Sequence, residues 1–325
     1  MFPAAFFTAT ALFIFSSTAA RRPPPNGILY DLSPFIRVYA NGTVQRFIGQ
    51  EFAPPGVDAA TGVQSRDVKY SSTLNLTARI YLPGNAAANN KLPLLIYYHG
   101  GGFFTESAFS PTYHRFLNSL SSAAGAIAVS VNYRLAPEHP LPIAYEDSWL
   151  ALKWAISGAG NDSWLKKHAD FQRVYLGGDS AGGNLAHNMA TRIGGSGLKI
   201  EGMFLNCPYF ISRSTPELQL LRDVWIHAYP KDRRGLNDPL VNPAMDPGGL
   251  KRVGLKHIAL YMGEKDPLKE SEWDYKKGLE RSGWKGKVEA VEFKGEGHVF
   301  NLLQPGAPDA AAMLKMIAAF INNEQ

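Results

Sequence analysis

From about residue 66 onward, short apolar runs alternate with longer stretches of helical spacing. Ala78–Leu82, Leu94–His99, Ile127–Tyr133, Val174–Gly177, Ile200–Asn206, His257–Met262 and Val288–Phe293 are brief and rich in β-branched or aromatic residues, which predicts strands. Tyr113–Ala124, Ala144–Ser157, Ala181–Ile193, Glu270–Ser282 and Ala310–Ile321 place apolar residues three and four apart, which predicts helices. Strict alternation of the two predicts an α/β fold, a mostly parallel sheet with helices on both faces. Two stretches fit this alternation poorly: residues 21–65, rich in Pro and aromatics, and residues 209–250. Both are expected to form a cap over the carboxyl ends of the strands, where such folds build their pockets. The expected organisation is an apolar leader over residues 1–20, then a single domain over 21–325.

Composition narrows the class. Of 325 residues, 45% are hydrophobic and 19% charged, enough apolar material for a large core and too little charge for a disordered chain. Gly and Pro fall at punctuation points without a period, which excludes a fibrous repeat. A net charge of +5 is spread over segments that also hold acids, such as Lys231-Asp232-Arg233-Arg234, without a basic stripe interleaved with aromatics. No nucleic-acid partner is expected. A single cysteine, Cys207, excludes an internal disulfide and a cysteine-based metal site. Its place in Leu205-Asn206-Cys207-Pro208, after an apolar run, reads as a buried structural thiol.

Residues Phe2–Ala20 are uncharged and apolar or small, and Arg21-Arg22 follow. Thr8 and Thr10 interrupt the stretch, so a stable membrane span is not expected. It fits a secretory signal with cleavage near Ala19 or Ala20, although its start lacks Lys and Arg and the positive pair lies on the opposite flank. Along that route Asn41-Gly42-Thr43, Asn75-Leu76-Thr77 and Asn161-Asp162-Ser163 are glycosylation sequons. The expected location is the secretory pathway; cytoplasmic residence is the alternative.

The chemistry gathers at strand ends. Gly178-Asp179-Ser180-Ala181-Gly182 is a G-x-S-x-G pentapeptide between a predicted strand and a predicted helix. In that setting the glycines permit a tight elbow that holds the Ser180 hydroxyl clear of the sheet, at a helix start that favours developing negative charge. His99-Gly100-Gly101-Gly102-Phe103 follows another strand directly. Side-chain-free backbone lets N–H groups approach a substrate closely, so Gly101 and Gly102, with Ala181 from the elbow, are expected to form an oxyanion hole. Phosphate cradling is disfavoured, since no Lys follows as in a P-loop. His99 reads as an anchor for its loop.

A general base should follow the serine, with its orienting acid between them. His99, His114, His139 and His168 precede Ser180, His187 lies in the elbow helix, His257 begins a strand, and His227 falls in the expected cap. His298, in Gly295-Glu296-Gly297-His298-Val299-Phe300, follows the last strand in a flexible loop. Asp266, just past His257–Met262, is the favoured acid, far enough before His298 for one helix and one strand; Glu264 competes. These candidates form a Ser180–His298–Asp266 triad.

His99–Phe103, Tyr133-Arg134-Leu135-Ala136-Pro137-Glu138-His139, Gly178-Asp179-Ser180-Ala181-Gly182-Gly183-Asn184 and Gly297-His298-Val299-Phe300 together resemble the plant carboxylesterases of the hormone-sensitive-lipase-like α/β-hydrolase group. The likeness runs from about Ile28 to the C-terminus. It implies the α/β-hydrolase fold, a helical N-terminal contribution to a cap, and Ser180, Asp266 and His298 as triad with Gly101, Gly102 and Ala181 as oxyanion hole. The apolar leader departs from the many cytosolic members. The same group holds gibberellin receptors, which have lost the triad histidine that stands here as His298, and enzymes that use the pocket for elimination, cyclisation or intramolecular transesterification. Dehydratases of the group commonly carry Thr where Ser180 stands. The expected function is therefore hydrolysis of small to medium carboxylic esters without a cofactor or metal, by a monomer or weak dimer, with the apolar part of the substrate against Phe103, Phe104, Tyr209, Phe210 and Trp225.

Overall fold

The computed structural model describes residues 27–86, 91–157, 162–215 and 219–323. The apolar leader with its cleavage point and the Asn161 of the third sequon lie outside these residues; Asn41 and Asn75 are both exposed.

Three short strands, β1 (Ile28–Leu32), β2 (Ile36–Tyr39) and β3 (Val44–Arg46), form a small antiparallel sheet. The described part of the N-terminal cap region is thus stranded where a helical contribution was expected. Leu32, Ile36 and Val38 alternate with more exposed residues in it, so a period of two, not 3.6, buries its apolar side. The main sheet is built from β4 (Gln64–Ser71), β5 (Leu76–Leu82), β6 (Leu92–Tyr98), β7 (Ile127–Asn132), β8 (Ala169–Asp179), β9 (Gly202–Asn206), β10 (His257–Gly263) and β11 (Lys287–Phe293). Its order is β11-β10-β9-β8-β6-β7-β5-β4, parallel from β11 to β7 and antiparallel at β5 and β4.

All seven residues of β6 are buried, as expected of a central parallel strand covered on both faces. Leu94, Ile96 and Tyr98 enter one core, and Leu95 and Tyr97 the other. In β8, Val174 and Leu176 divide in the same way from Tyr175. Helices α1 (Pro111–Ala124) and α9 (Pro308–Asn322) cover the second core through Leu117, Leu120, Met313 and Ile317. The first core is covered by α2 (Ile143–Ile156), α4 (Ala181–Ile193) and α7 (Lys269–Arg281), with Leu152, Leu185 and Tyr275 at its centre. The short α3 (Ser163–His168) leads into β8, with the Asp162 carboxylate capping its first turn.

Between β9 and β10 lie α5 (Gln219–Ala228), two 3-10 turns and α6 (Pro247–Lys251), over the stretch 209–250 that fits the strand–helix alternation poorly. The short α8 (Phe300–Leu303) follows the last loop. An ideal Cβ on Gly102 would touch Val224 of α5 at 3.5 Å and Phe35 of the β1–β2 turn at 3.6 Å, so both elements reach the β6 loop. No helix among the described residues is long and apolar enough to cross a membrane.

Candidate active site

β8 runs through Gly177 to Asp179, and Ser180 then turns the chain into α4 with φ +49° and ψ −119°. Such a conformation is costly for a non-glycine residue and survives only where its surroundings hold it. The Ser180 N–H donates to the Asn206 carbonyl at 3.0 Å, and the Ser180 carbonyl accepts from Tyr209 N–H at 2.8 Å. The neighbouring glycines are needed for close approach. A Cβ on Gly178 would lie 2.3 Å from the Gly182 carbonyl oxygen, and one on Gly182 only 1.9 Å from that of Tyr98.

The order of the strands brings the other two candidates to this elbow. β9 separates β8 from β10, and β11 lies beyond β10. Asp266 follows β10 and His298 follows β11, so both loops open on the same side as Ser180. The Ser180 hydroxyl is 2.9 Å from His298 Nε2, and His298 Nδ1 is 2.7 Å from Asp266 Oδ2. The other Asp266 oxygen accepts the Leu268 N–H at 2.8 Å. With the Nδ1 proton donated to the carboxylate, Nε2 is free to accept the serine proton.

Electrostatics fit that role. Burial alone would raise the Asp266 carboxyl, but the facing imidazole, its hydrogen bond and the Leu268 N–H hold it below the usual range. Burial pushes His298 down, yet the charge and hydrogen bond of Asp266, with the charge of Asp179, leave it above its ordinary value. The Ser180 residue is 8% exposed, whereas the His298 side chain is 32% exposed, so solvent reaches the pair from the histidine side. Glu264, the competing acid, instead accepts the Gly295 N–H at 2.8 Å. His227 of α5 packs against Tyr30 of β1, ring centroids 4.0 Å apart and tilted by 38°.

In the β6 loop, Gly101, Gly102 and Phe103 have φ of +101°, +62° and +70°. The Gly101 carbonyl is turned inward to accept from Phe104 N–H and Thr105 N–H, each at 3.0 Å. The N–H groups of Gly101 and Gly102 meet no acceptor among the described residues. A Cβ on Gly101 would sit 2.3 Å from the Thr105 carbonyl oxygen, which explains the glycine. His99 is buried and stacked on Tyr133 at 4.3 Å; burial depresses its pKa to about 4, so it is a neutral anchor. Tyr133 donates to the His99 carbonyl at 2.6 Å, and Ala136 N–H donates to the Phe103 carbonyl at 2.9 Å. Arg134 and Glu138 lock the same segment through Asp147 and Arg46. The Tyr133–His139 motif is thereby a buttress for the glycine loop.

Of the expected pocket aromatics, Phe103, Tyr209 and Trp225 come together, with Phe103 edge-on to Tyr209 at 5.9 Å and to Trp225 at 6.3 Å. All three are almost fully buried in the first core, as is Phe104, which makes no ring contact with them. Phe210 turns away from the serine, packing between His187 of α4 and Tyr275 of α7.

Two buried groups carry more than the sequence disclosed. Asp179, inside the elbow pentapeptide, accepts from Tyr97 and Tyr113 hydroxyls at 2.7 and 2.8 Å and from Gly100 N–H at 3.1 Å. An acid flanked by glycine and the nucleophile, at the end of the apolar run Val174–Leu176, was the available signal. Cys207 is the second. Cys207, Asp266 and His298 place donor atoms within 4.8 Å of one another. A metal would need the thiolate, but burial, then the Asp266 and Glu272 carboxylates, push this thiol well above its ordinary range, and the imidazole is committed at both nitrogens.

Comparison with known proteins places the chain in a family. A family defined by the α/β-hydrolase fold matches residues 95–302. The chain is 43% identical over 314 residues to "Probable carboxylesterase 1" of Arabidopsis thaliana, covering 91% of this chain and 98% of that one. It is 41% identical over 313 residues to a 2-hydroxyisoflavanone dehydratase of Glycyrrhiza echinata, covering 90% and 95%. Among solved structures, a hyperthermophilic esterase from Pyrobaculum calidifontis superimposes with TM-score 0.69 at 27% identity, covering 80% of this chain and 85% of that one. A thermostable carboxylesterase from a metagenomic library does so with TM-score 0.69 at 28% identity, covering 84% and 91%. The chain belongs to the α/β-hydrolase family, in the group that contains the plant carboxylesterases and 2-hydroxyisoflavanone dehydratases.

Proposed function

We propose that this protein is a serine carboxylesterase in which Ser180 is the nucleophile, His298 the general base and Asp266 its orienting acid. The observation that carries the reading is the continuous hydrogen-bond chain from the Ser180 hydroxyl through both nitrogens of His298 to Asp266. His298 Nε2 takes the hydroxyl proton as Ser180 Oγ bonds to the ester carbonyl carbon, and the carbonyl oxygen becomes an oxyanion. The N–H groups of Gly101, Gly102 and Ala181 receive that charge, at the start of a helix that favours it. Collapse returns the proton from His298 to the leaving alkoxide and leaves an acyl-serine. Water, deprotonated by the same imidazole, then releases the acid.

The substrate class is a small to medium ester whose apolar part lies against Phe103, Tyr209 and Trp225. Those rings supply area but little chemical selectivity, since a methylene is worth only ~1–3 kcal/mol in such a pocket. Ser180→Ala should lower turnover of a p-nitrophenyl ester at least about 10³-fold with the fold intact. Unchanged turnover would overturn the reading.

Kinship with dehydratases supports a second reading, in which His298 and the glycine N–H groups promote elimination without acylating Ser180. Mass spectrometry during turnover separates the two. An acyl adduct on Ser180 belongs to hydrolysis, and elimination that survives Ser180→Ala belongs to the alternative. The apolar stretch at residues 2–20 and the exposed Asn41 and Asn75 support a secretory route. Loss of mass on N-glycosidase treatment of protein from plant tissue tests it, with an unmodified chain pointing to the cytoplasm.

A further inference from the structure

Cys207 occupies the one strand end that lies between the nucleophile and its acid. β9 ends at Asn206, beside β8 with Ser180 and β10 with Asp266. The Cys207 N–H continues the ladder by donating to the Tyr261 carbonyl at 2.8 Å, but the residue then adopts φ +45°. A left-handed conformation at a non-glycine residue is uncommon. Here it turns the side chain under the triad, with Sγ within 4.8 Å of polar atoms on both Asp266 and His298. Sγ accepts the Val299 N–H at 3.4 Å, and the Asp266 carboxylate is the acceptor that lies beside its S–H. Val299 follows His298 and is itself left-handed at φ +48°, an outlier for a β-branched residue. Two strained residues, 92 positions apart, are therefore held against each other through one sulfur atom.

Resting on the triad assigned above, we propose that Cys207 is a positioning residue for ester hydrolysis: its thiol ties the Asp266 carboxylate to the backbone of the His298 loop and fixes the imidazole between acid and serine. It touches neither substrate nor reacting atoms. A buried carboxylate has about four acceptor sites; Asp266 has one taken by His298 and one by Leu268, which leaves a third for the neighbouring thiol. S–H is a weak donor, so it restrains the carboxylate while leaving most of its negative charge to His298. On the acceptor side, the long C–S bonds let one atom span from Asp266 to Val299. The thiol itself stays protonated and is fully buried, so it acts without being a nucleophile.

The sign of the expected effect follows from the charges present. Asp266 faces Cys207 from the loop after β10, His298 from the loop after β11 and Glu272 from the first turn of α7, while Asp179 at the end of β8 acts on His298. Glu272 is buried, and desolvation, then Asp266 and Glu292, raise its carboxyl well above the usual range. Removing the S–H donor concentrates negative charge on the Asp266 oxygens, stabilises the imidazolium and moves the loss of activity on acidification to higher pH.

The test is the pH profile of kcat/KM for a p-nitrophenyl ester with Cys207→Ala and Cys207→Ser. Each is normalised to active enzyme by fluorophosphonate titration of Ser180, so that unfolded protein does not count. Cys207→Ala should lower kcat about 3- to 10-fold with KM within about 2-fold, and shift the acid limb upward by several tenths of a pH unit. Cys207→Ser restores a donor and should bring the limb to or below its original position. An acid limb unmoved in Cys207→Ala, with any loss of kcat tracking lost thermal stability, would overturn the proposal by making the thiol a space-filler. Should Cys207→Ala not fold, Cys207→Ser decides alone: a limb at or below the original supports the tie, and one above it overturns it. Ser180→Ala, run in parallel, keeps the two claims apart. Its inactivity beside an unmoved Cys207→Ala profile defeats only the thiol, whereas its full activity defeats the triad itself.

Discussion

Asp179 accepts the Gly100 N–H at 3.1 Å, so the residue before the nucleophile grips the first glycine of the oxyanion loop. Tyr113 completes a triangle, donating to Asp179 at 2.8 Å while accepting the same Gly100 N–H at 2.8 Å. The two halves of the site, from β6 and β8, are thereby fixed to each other by one buried carboxylate.

This tie predicts a kinetic cost for its removal. Asp179→Asn keeps the shape but puts an amide donor where a carboxylate oxygen accepted from a hydroxyl. The oxyanion donors should loosen, and kcat should fall about 10- to 100-fold with KM little changed. Steady-state kinetics on the folded variant checks this. Stability has its own signature. Burial raises the Asp179 carboxyl to about 6, against 3.8 for the free group. A raised acid contributes stability below its unfolded value and loses it as pH rises through its folded value, here roughly 3 kcal/mol between pH 4 and 6. Melting temperature of Asp179→Asn relative to the original should therefore improve between pH 4 and pH 8.

Hydrolysis should require a neutral His298. The imidazole is held above 6.5 by Asp266 and Asp179 despite its burial, so the acid limb of kcat/KM should have its midpoint above pH 6.5. Asp266→Asn removes the charge and the acceptor for the Nδ1 proton. Turnover should drop about 10⁴-fold, the size seen when the imidazole tautomer is lost. A residual limb at unchanged pH in that variant would contradict the role given to Asp266.

Glu272 should be a stability liability. Its side chain is fully buried and neither carboxyl oxygen has a partner. Glu272→Met, similar in volume, should stabilise the fold by about 1–3 kcal/mol. Because desolvation raises this carboxyl, the native state resists its ionisation, and the gain should be larger at pH 8 than at pH 5. Chemical denaturation at the two pH values reads it directly, and esterase activity should stay within a few-fold.

Trp225 should set the size of the accepted acyl group. It packs edge-on against Phe103 from α5, almost fully buried, with its indole N–H unpartnered. Trp225→Phe loses no hydrogen bond and should preserve both fold and activity. Trp225→Ala opens the apolar wall and should move the kcat/KM optimum across a series of p-nitrophenyl esters toward longer chains. A uniform loss across the series would instead make Trp225 a mere core residue.

The close approach of the elbow to β6 predicts a sharp contrast between two glycines. Gly182→Ala would drive a methyl to 1.9 Å from a buried carbonyl oxygen and should yield no soluble folded protein. At Gly102 the same methyl finds ordinary contacts with Val224 and Phe35, leaving only the cost of a left-handed alanine, roughly 1–2 kcal/mol. Gly102→Ala should fold, with a lower melting temperature and reduced turnover.

Local patterning was enough to find seven of the strands and five of the helices, because burial on two faces makes β6 or β10 a continuous apolar run and α4 an amphipathic one. Motif chemistry was enough to nominate Ser180, Asp266 and His298, since glycine elbows and loop histidines at strand ends are local features. β4 escaped because its QSRDVKYS pattern is polar, as an edge strand with one wet face should be. The N-terminal strands escaped because their pairing partners, not their composition, make them a sheet. Phe210 could be assigned to the pocket or the core only by knowing that α4 and α7 close over it. Engaging Glu264 with Gly295 and binding Asp179 to Gly100 depend on groups that are distant in sequence. So does placing Cys207 between Asp266 and Val299. The chain carries each of these residues locally, but their hydrogen bonds exist only once the strand order β11-β10-β9-β8-β6 sets their ends side by side.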